Sequence, residues 1–405
     1  MKILINSLYF YPDHSGIAIY SSDFAFYAKE QGHEVNVITG FSFYPNWKKK
    51  VEDRRRFFSK EKINGVNIYR GYTYVPIRPN TVNRLLQELG VFIFSTINYL
   101  RVGKPDCIVV FTTPVSFGLL GTFFKKIYKT TLLINVQDFQ VEAAASLNMV
   151  KSTLFVKLLK KVEYLTYKNC DYVSSISESM CQILEEKVFQ KEKVFLWPNW
   201  ISISEYPKGI EKGVFRLENN INQERIIVAY AGNIGLKQGL EILVDVAEMF
   251  KTNAKIEFLI IGDGAGLQKL KNYATKKQLD KLRFLPFLDE VSYKHFLEDV
   301  DVVFISQQKT EKDIYFPSKL LGLMAVGKTI LVTADPESEL FKILNNNGLA
   351  LASNYGDVDK ICQHLESVIK NPSIKSKLSE KTREFVRKYD REIVLSQVLN
   401  KIDNR

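Results

Sequence analysis

The sequence predicts an α/β protein built from two doubly wound halves, each a mostly parallel sheet flanked by helices. Three observations carry that prediction. Short β-rich apolar runs alternate with longer helical patterns along the chain. The alternation restarts after a polar stretch at Glu205–Glu224. Glycine loops stand at the ends of several apolar runs, where such sheets present their ligands.

The elements follow in order. Strand Ile3–Ser7 ends in the loop Tyr9–Gly16, and helix Ala18–Gln31 follows, stopped by Gly32. Glu34–Thr39 reads as a second strand. A long irregular, basic segment covers Phe41–Lys62, and Val66–Tyr69 is a further strand. An apolar-rich helix covers Thr81–Arg101. Strands Cys107–Phe111 and Leu132–Val136 enclose another helix. Helix Leu154–Lys168 precedes strand Tyr172–Ser175, and Val194–Leu196 leads to Pro198 and Asn199. In the second series, strand Ile226–Tyr230 runs into Gly232–Gly235, and helix Leu240–Phe250 leads to strand Ile256–Ile261. Strand Leu282–Leu285, helix Val291–Leu297, strand Val302–Ser306, helix Ser318–Val326 and strand Thr329–Thr333 follow. A last helical pattern covers Lys375–Ile402.

Composition narrows the class. Of 405 residues 46% are hydrophobic and 25% charged, ordinary values for a globular chain long enough to bury a large core. Four scattered cysteines form no CxxC, and four histidines show no ligand spacing, which excludes a disulfide framework and a zinc site and fits a reducing compartment. The start MKILINSLYFYP reads as a buried strand rather than a signal peptide. No run reaches the ~20 apolar residues of a membrane span. A soluble or peripheral protein is expected. The net charge is +11. Residues 1–200 hold 26 basic and 17 acidic side chains, and residues 201–405 hold 30 and 28. A basic half attracts phosphates, nucleic acid or an anionic membrane. No nucleic-acid module is present, so no nucleic-acid partner is expected.

Five loops carry the candidate chemistry. Gly16 precedes the first helix, where a helix N-terminus favours an anion; a plain strand-to-helix turn would read the same way. Gly232, Asn233, Gly235, Lys237 and Gln238 form a loop able to cradle phosphate, with Lys237 as a point charge. Gly262, Asp263 and Gly264 end a strand and leave room for a flat ligand, although a tight turn fits as well. Pro317, Ser318, Lys319 and Leu320 open a helix, bringing free N–H groups, a hydroxyl and an ammonium to one point. Asp138 follows a fully buried strand at its carboxyl end. It either orients or deprotonates a hydroxyl, or caps the next helix.

Taken in order, MKILI, Gly16, GHEV, VQD, PNW, AGNIGLKQGLE, IIGDG and FPSKLLGLMAVGK resemble the retaining glycosyltransferases of family 4, which have the GT-B fold. Within that family the chain is similar to the colanic-acid fucosyltransferase and N-acetylfucosamine transferase type. The combination of AGNIGLKQGLE with PSKLLGLMAVGK is the specific part, and the resemblance runs from Met1 to about Ile402. It implies two Rossmann-like domains facing across a cleft: residues 1–200 for the acceptor, 201–380 for the donor, and a helix within 381–405 crossing back to the first. It also implies a UDP-sugar donor, transfer of a HexNAc or deoxy-HexNAc such as N-acetylfucosamine, and no metal or other cofactor. Glu241 is expected near the sugar or ribose, and Phe287 and Gly262–Gly264 near the base. Two glutamates common in the family are replaced by Ile314 and Gly322, and the usual histidine by Gln137 beside Asp138.

The acceptor implied is an undecaprenyl-diphosphate-linked sugar at the inner face of the plasma membrane, used in O-antigen or capsule synthesis, with the protein cytoplasmic and peripheral. Two stretches fit. Lys48–Lys62 contains eight basic and three acidic residues, among them Arg54, Arg55 and Arg56, with Trp47 and Phe57 interleaved. Helix Thr81–Arg101 carries Leu85, Leu86, Leu89, Phe92, Ile93 and Tyr99, which serve equally as core or as a membrane face. Competing readings are a non-catalytic regulatory partner that still binds nucleotide-sugar, and an enzyme of the same fold acting on free sugars. A dehydrogenase lacks its GxGxxG fingerprint.

Overall fold

The computed structural model describes the chain except residues 15, 44–46, 77–80, 140, 142–152, 189, 207–209, 236–237, 280, 309–318 and 404–405, and the side chains of 81–82 and 153–155. The described residues fall into two compact units, Met1–Trp200 with Glu392–Arg405, and Ile201–Arg391.

The first unit is built on an eight-stranded sheet in the order β3-β4-β2-β1-β5-β6-β7-β8. Its strands are β1 (Lys2–Asn6), β2 (Glu34–Gly40), β3 (Phe58–Ile63), β4 (Val66–Gly71), β5 (Cys107–Phe111), β6 (Thr131–Val136), β7 (Tyr172–Ser175) and β8 (Val194–Leu196). All pairs are parallel except β3 with β4. The helices are α1 (Ile17–Glu30), α2 (Thr81–Val102), α3 (Ser116–Tyr128), α4 (Thr153–Asn169) and α5 (Glu178–Lys187). β5 and, from Ile3 onward, β1 are continuously buried, as strands covered on both faces must be. β3 was not expected inside the basic segment. Its sequence FSKEKI is that of a charged edge strand, which blocks further pairing.

The second unit has an all-parallel sheet in the order β11-β10-β9-β12-β13-β14. Its strands are β9 (Ile226–Ala231), β10 (Ile256–Ile261), β11 (Leu282–Leu285), β12 (Val302–Ser306), β13 (Thr329–Ala334) and β14 (Leu351–Asn354). The helices are α6 (Val214–Glu218), α7 (Glu241–Met249), α8 (Leu267–Lys276), α9 (Glu290–Asp299), α10 (Lys319–Val326), α11 (Glu339–Asn346), α12 (Val358–Lys370) and α13 (Ser373–Val386), and a final helix α14 (Arg391–Asp403) ends the chain.

The single helical pattern expected over Lys375–Ile402 is therefore two helices, broken at Arg387–Asp390. Only the second belongs to the first unit. There Val394, Leu395, Val398, Leu399 and Ile402 join a core with Phe24, Trp197 and Trp200. Each such side chain contributes about 1.5–3 kcal/mol by burial.

Candidate functional site

The second unit switches winding direction between β9 and β12, which are neighbours in its sheet. A doubly wound sheet opens a crevice at such a point, beyond the carboxyl ends of the strands. Two glycine loops line it. The Gly232 N–H donates to the Ile261 carbonyl at 2.8 Å, and the Ile234 N–H to the Asp263 carbonyl at 2.8 Å. The loops after β9 and β10 are thus laced together by backbone. The lacing needs a glycine at 262, because a Cβ there would stand 1.9 Å from the Gly232 carbonyl oxygen.

Lys319, the first residue of α10, reaches into the same place. Its Nζ donates to the Ala231 carbonyl at 2.8 Å. A Cβ on Gly232 would lie 1.8 Å from that ammonium. The side chain is exposed overall, yet desolvation of its charged end pulls its pKa below the ordinary lysine value. A partly desolvated ammonium at the mouth of a glycine loop is a phosphate-binding arrangement.

A neutral polar group closes the other end of the loop. At Gly239 a Cβ would stand 2.0 Å from Tyr355 Oη and 2.8 Å from Gln308 Nε2. Tyr355 hydrogen-bonds Gln308, and burial raises its pKa. Gln238 Oε1 and the hydroxyl of Ser306, at the end of β12, are buried without a hydrogen-bond partner. Such atoms are nearly always paired in folded proteins, so the hydroxyls and amides of a polar ligand fit them. Sequence reading missed Gln308, Ser306 and Tyr355. The signal for Tyr355 was its place just after β14, a short strand that was not anticipated.

The other expected residues divide. Asn233 is exposed, and its carbonyl accepts from the Tyr230 hydroxyl at 2.7 Å. Gly235 lies within the loop, where a Cβ would stand 2.7 Å from Gln238 Oε1. Asp263 turns back to accept from the Gly264 N–H at 2.7 Å. Glu241 opens α7 and is ion-paired with Lys269 at 3.1 Å. Phe287 is exposed just beyond β11, the edge strand beside β10. The Leu320 side chain is fully buried in the core, so its backbone is the part that can face a ligand. Lys237, Pro317, Ser318 and Ile314 lie outside the described residues. Gly322 is closed off, because a Cβ there would stand 2.7 Å from the Tyr206 hydroxyl.

Gly16 and Asp138 belong to the first unit. Gly16 takes φ 57° at the start of α1, where no side chain caps the helix. Asp138 is exposed beyond β6, next to buried Gln137, whose amide donates to Asn135 Oδ1 at 2.8 Å. Asp13, in the first loop, is buried; burial raises its pKa although Ser42 donates to it. Trp47 packs edge-on to Phe43, with Arg84 over its ring at 5.8 Å. Arg54, Arg55, Arg56 and Phe57 are exposed, and Phe57 stacks on Phe94 of α2. Of the α2 residues with two readings, Tyr99 belongs to the core: it is fully buried, stacked on Phe124 at 4.4 Å and bonded to Asn6. Among the described residues no helix is long and apolar enough to cross a membrane.

Comparison with known proteins agrees with this architecture. The family model for glycosyl transferases group 1 matches residues 212–385, and that for glycosyltransferase family 4 matches residues 14–205. The chain is 30% identical to the putative colanic acid biosynthesis glycosyl transferase WcaI of Escherichia coli (strain K12), covering 99% of this chain and 100% of that protein. Among solved structures it is similar to sucrose-phosphate synthase of Thermosynechococcus elongatus (TM-score 0.75, 16% identity, 100% and 98% covered). It is also similar to Anabaena Alr3699/HepE in complex with UDP (TM-score 0.73, 13% identity, 100% of both chains covered). The neighbours share the fold. The two family models and the full-length relative establish that this chain belongs to the group 1, family 4 glycosyltransferases of GT-B fold.

Proposed function

We propose that this protein transfers a sugar from a UDP-sugar to a hydroxyl of a lipid-linked sugar, with retention and without a metal, in the assembly of a bacterial surface polysaccharide. The observation that carries this reading is the contact of Lys319 with the Ala231–Gly232 turn. As the donor bond breaks, negative charge develops on the leaving diphosphate. A preorganised ammonium and loop N–H groups stabilise that charge where other enzymes use a metal ion. The neutral set of Gln238, Ser306, Gln308 and Tyr355 suits sugar hydroxyls and an acetamido group. The colanic acid relative supports the polysaccharide setting, and the UDP complex of HepE supports the nucleotide. Asp138 is assigned to the acceptor, as base or orienter of its hydroxyl. The acceptor's lipid places the protein on the inner face of the plasma membrane.

The test is turnover: a panel of UDP-sugars with a polyprenyl-diphosphate-linked sugar, in EDTA, read by UDP release and by the anomeric configuration of the product. Metal-free release of UDP with a retained anomer is expected. Inversion, or an absolute need for a divalent cation, would overturn that part of the reading.

A second reading is a non-catalytic partner that binds nucleotide-sugar. One observation favours it: Gly322 stands where the family commonly has a glutamate, and the Tyr206 hydroxyl occupies the space beside it. UDP binding without transfer from any donor would select it.

A further inference from the structure

Helix α2 packs a mixed face inward, with Val91, Tyr99 and Val102 among polar side chains, and turns an apolar stripe outward. It buries Gln87, Ser95 and Asn98, and the Gln87 amide nitrogen finds no hydrogen-bond partner. It exposes Leu86, Leu89, Ile93, Ile97 and Leu100, spaced at 3, 4, 4 and 3 residues. That spacing places all five on one face of an α-helix. Leu89, Ile93 and Leu100 are 56%, 48% and 65% exposed. Between Glu88 and Arg101 the helix carries no charge. Helices at a water-facing surface carry the opposite pattern.

The apolar strip continues onto the neighbouring helix. α3 packs beside α2 through the Tyr99–Phe124 stack and turns Phe123 and Ile127 outward. Beyond α3 lies α4, in contact with it, whose exposed residues include Lys157, Lys160, Lys161 and Lys168 around Leu158. The three helices together carry eight basic and two acidic side chains. Of the two acids, Glu163 is buried and ion-paired with Lys187, and Glu88 lies on α2, away from the α4 lysines.

We infer that the α2–α3–α4 layer is a docking face for an anionic lipid bilayer. The stripe of α2 with Phe123 and Ile127 enters the boundary between headgroups and acyl chains, and the lysines of α4 meet the headgroup phosphates. Large contiguous apolar patches are uncommon on soluble surfaces unless something covers them. An apolar stripe flanked by lysines is complementary to the interface of an anionic leaflet. A protein partner would answer the apolar stripe equally well, but the lysine row selects an anionic surface. The inference gives the lipid-linked acceptor proposed above a geometry, and it rests on that reading only for its biological purpose.

The experiment is flotation of the full chain with vesicles of phosphatidylethanolamine and phosphatidylglycerol, against vesicles of phosphatidylcholine alone. Two variants are compared with the parent: Leu89→Ser/Ile93→Ser/Ile97→Ser, and Lys157→Glu/Lys160→Glu/Lys161→Glu. All six positions are exposed, and circular dichroism with thermal unfolding of the full chain reports that the first unit of each variant is folded. The parent is expected to float with the anionic vesicles. Each variant is expected to lose at least about tenfold in partitioning, and the lysine variant to lose the salt-dependent part. Parent-like flotation of both variants, or no flotation of the parent at low salt, overturns the inference. So does a parent that is dimeric without lipid and is made monomeric by the serine variant, which would make this face a self-association surface. UDP-dependent transfer to a water-soluble acceptor would then still stand, which separates this failure from failure of the transferase reading.

Discussion

The ammonium of Lys319 donates to the Ala231 carbonyl at 2.8 Å by passing over Gly232, at a place where a methyl group would stand 1.8 Å from the nitrogen. Two residues 87 positions apart are thereby coupled. Gly232→Ala must displace the lysine. It is expected to cut turnover by ~10²–10³, the usual loss for one preorganised donor. The double variant with Lys319→Ala should be hardly slower than Lys319→Ala alone, because both remove the same contact. Fully additive losses would show that Gly232 acts apart from the lysine.

Lys319→Ala by itself should lower turnover at least ~10²-fold while leaving the fold intact. Near-normal turnover at saturating donor would remove the lysine from the mechanism. Desolvation lowers its pKa, so the ammonium loses its proton at a lower pH than an ordinary lysine does. UDP affinity should therefore fall on the alkaline side before the usual lysine range. Lys319→Arg, which keeps its charge, should flatten that limb. The check is calorimetric titration with UDP across alkaline pH.

Gly322 and Tyr206 form a second close pair. Gly322→Ala is expected to cost about 1 kcal/mol, a modest overpacking penalty, because the tip of the tyrosine can yield. Tyr206→Phe removes the oxygen and should recover most of that loss in denaturant unfolding. An unrelieved loss would place the strain in the backbone instead.

Neutralising Arg54, Arg55 and Arg56 together should weaken binding to anionic vesicles, more at low salt than at high. Flotation at two ionic strengths reads it. Equal binding at low salt would leave the basic loop out of the membrane contact.

Burial holds the His364 imidazole below its ordinary value of 6.5, while its Nε2 lies 3.0 Å from the Ala352 carbonyl. The folded state therefore binds a proton less readily than the unfolded state. Stability should fall as pH drops through 6.5 and keep falling until the folded-state pKa is passed. In His364→Gln this part of the pH dependence should vanish, leaving the contribution of His33, which burial also lowers. Thermal unfolding across mildly acidic pH measures it. An unchanged slope would assign the acid sensitivity elsewhere.

Much of this fold is legible in the chain. The apolar strands β5 and β9 and the largely apolar β1 and β10 announce themselves, and the glycines after β9 and β10 mark where the backbones approach. Three elements near the end were not anticipated. β14 has only four residues, LASN, with little strand signal. α11 and α12 are amphipathic, and α12 buries Ile361, Leu365 and Val368 at helical spacing, a pattern present but not read. The pairs Gly232–Lys319, Gly239–Tyr355 and Gly322–Tyr206 could not be read at all. Each joins segments far apart in sequence, and no local pattern records a tertiary approach. The outward apolar stripe of α2 was half visible, because its apolar residues could be counted but not assigned to an inner or outer face.

The account's central claim is that a nucleoside diphosphate binds the second unit through Lys319 and the glycine loop without a metal. The most direct measurement is calorimetric titration with UDP, GDP, dTDP and CMP in EDTA, for the parent chain and Lys319→Ala. The account predicts UDP-selective binding by the parent and a loss of at least about tenfold in the variant, as for a charge-assisted contact to phosphate. Binding that appears only with a divalent cation, or UDP affinity unchanged by the substitution, would contradict it.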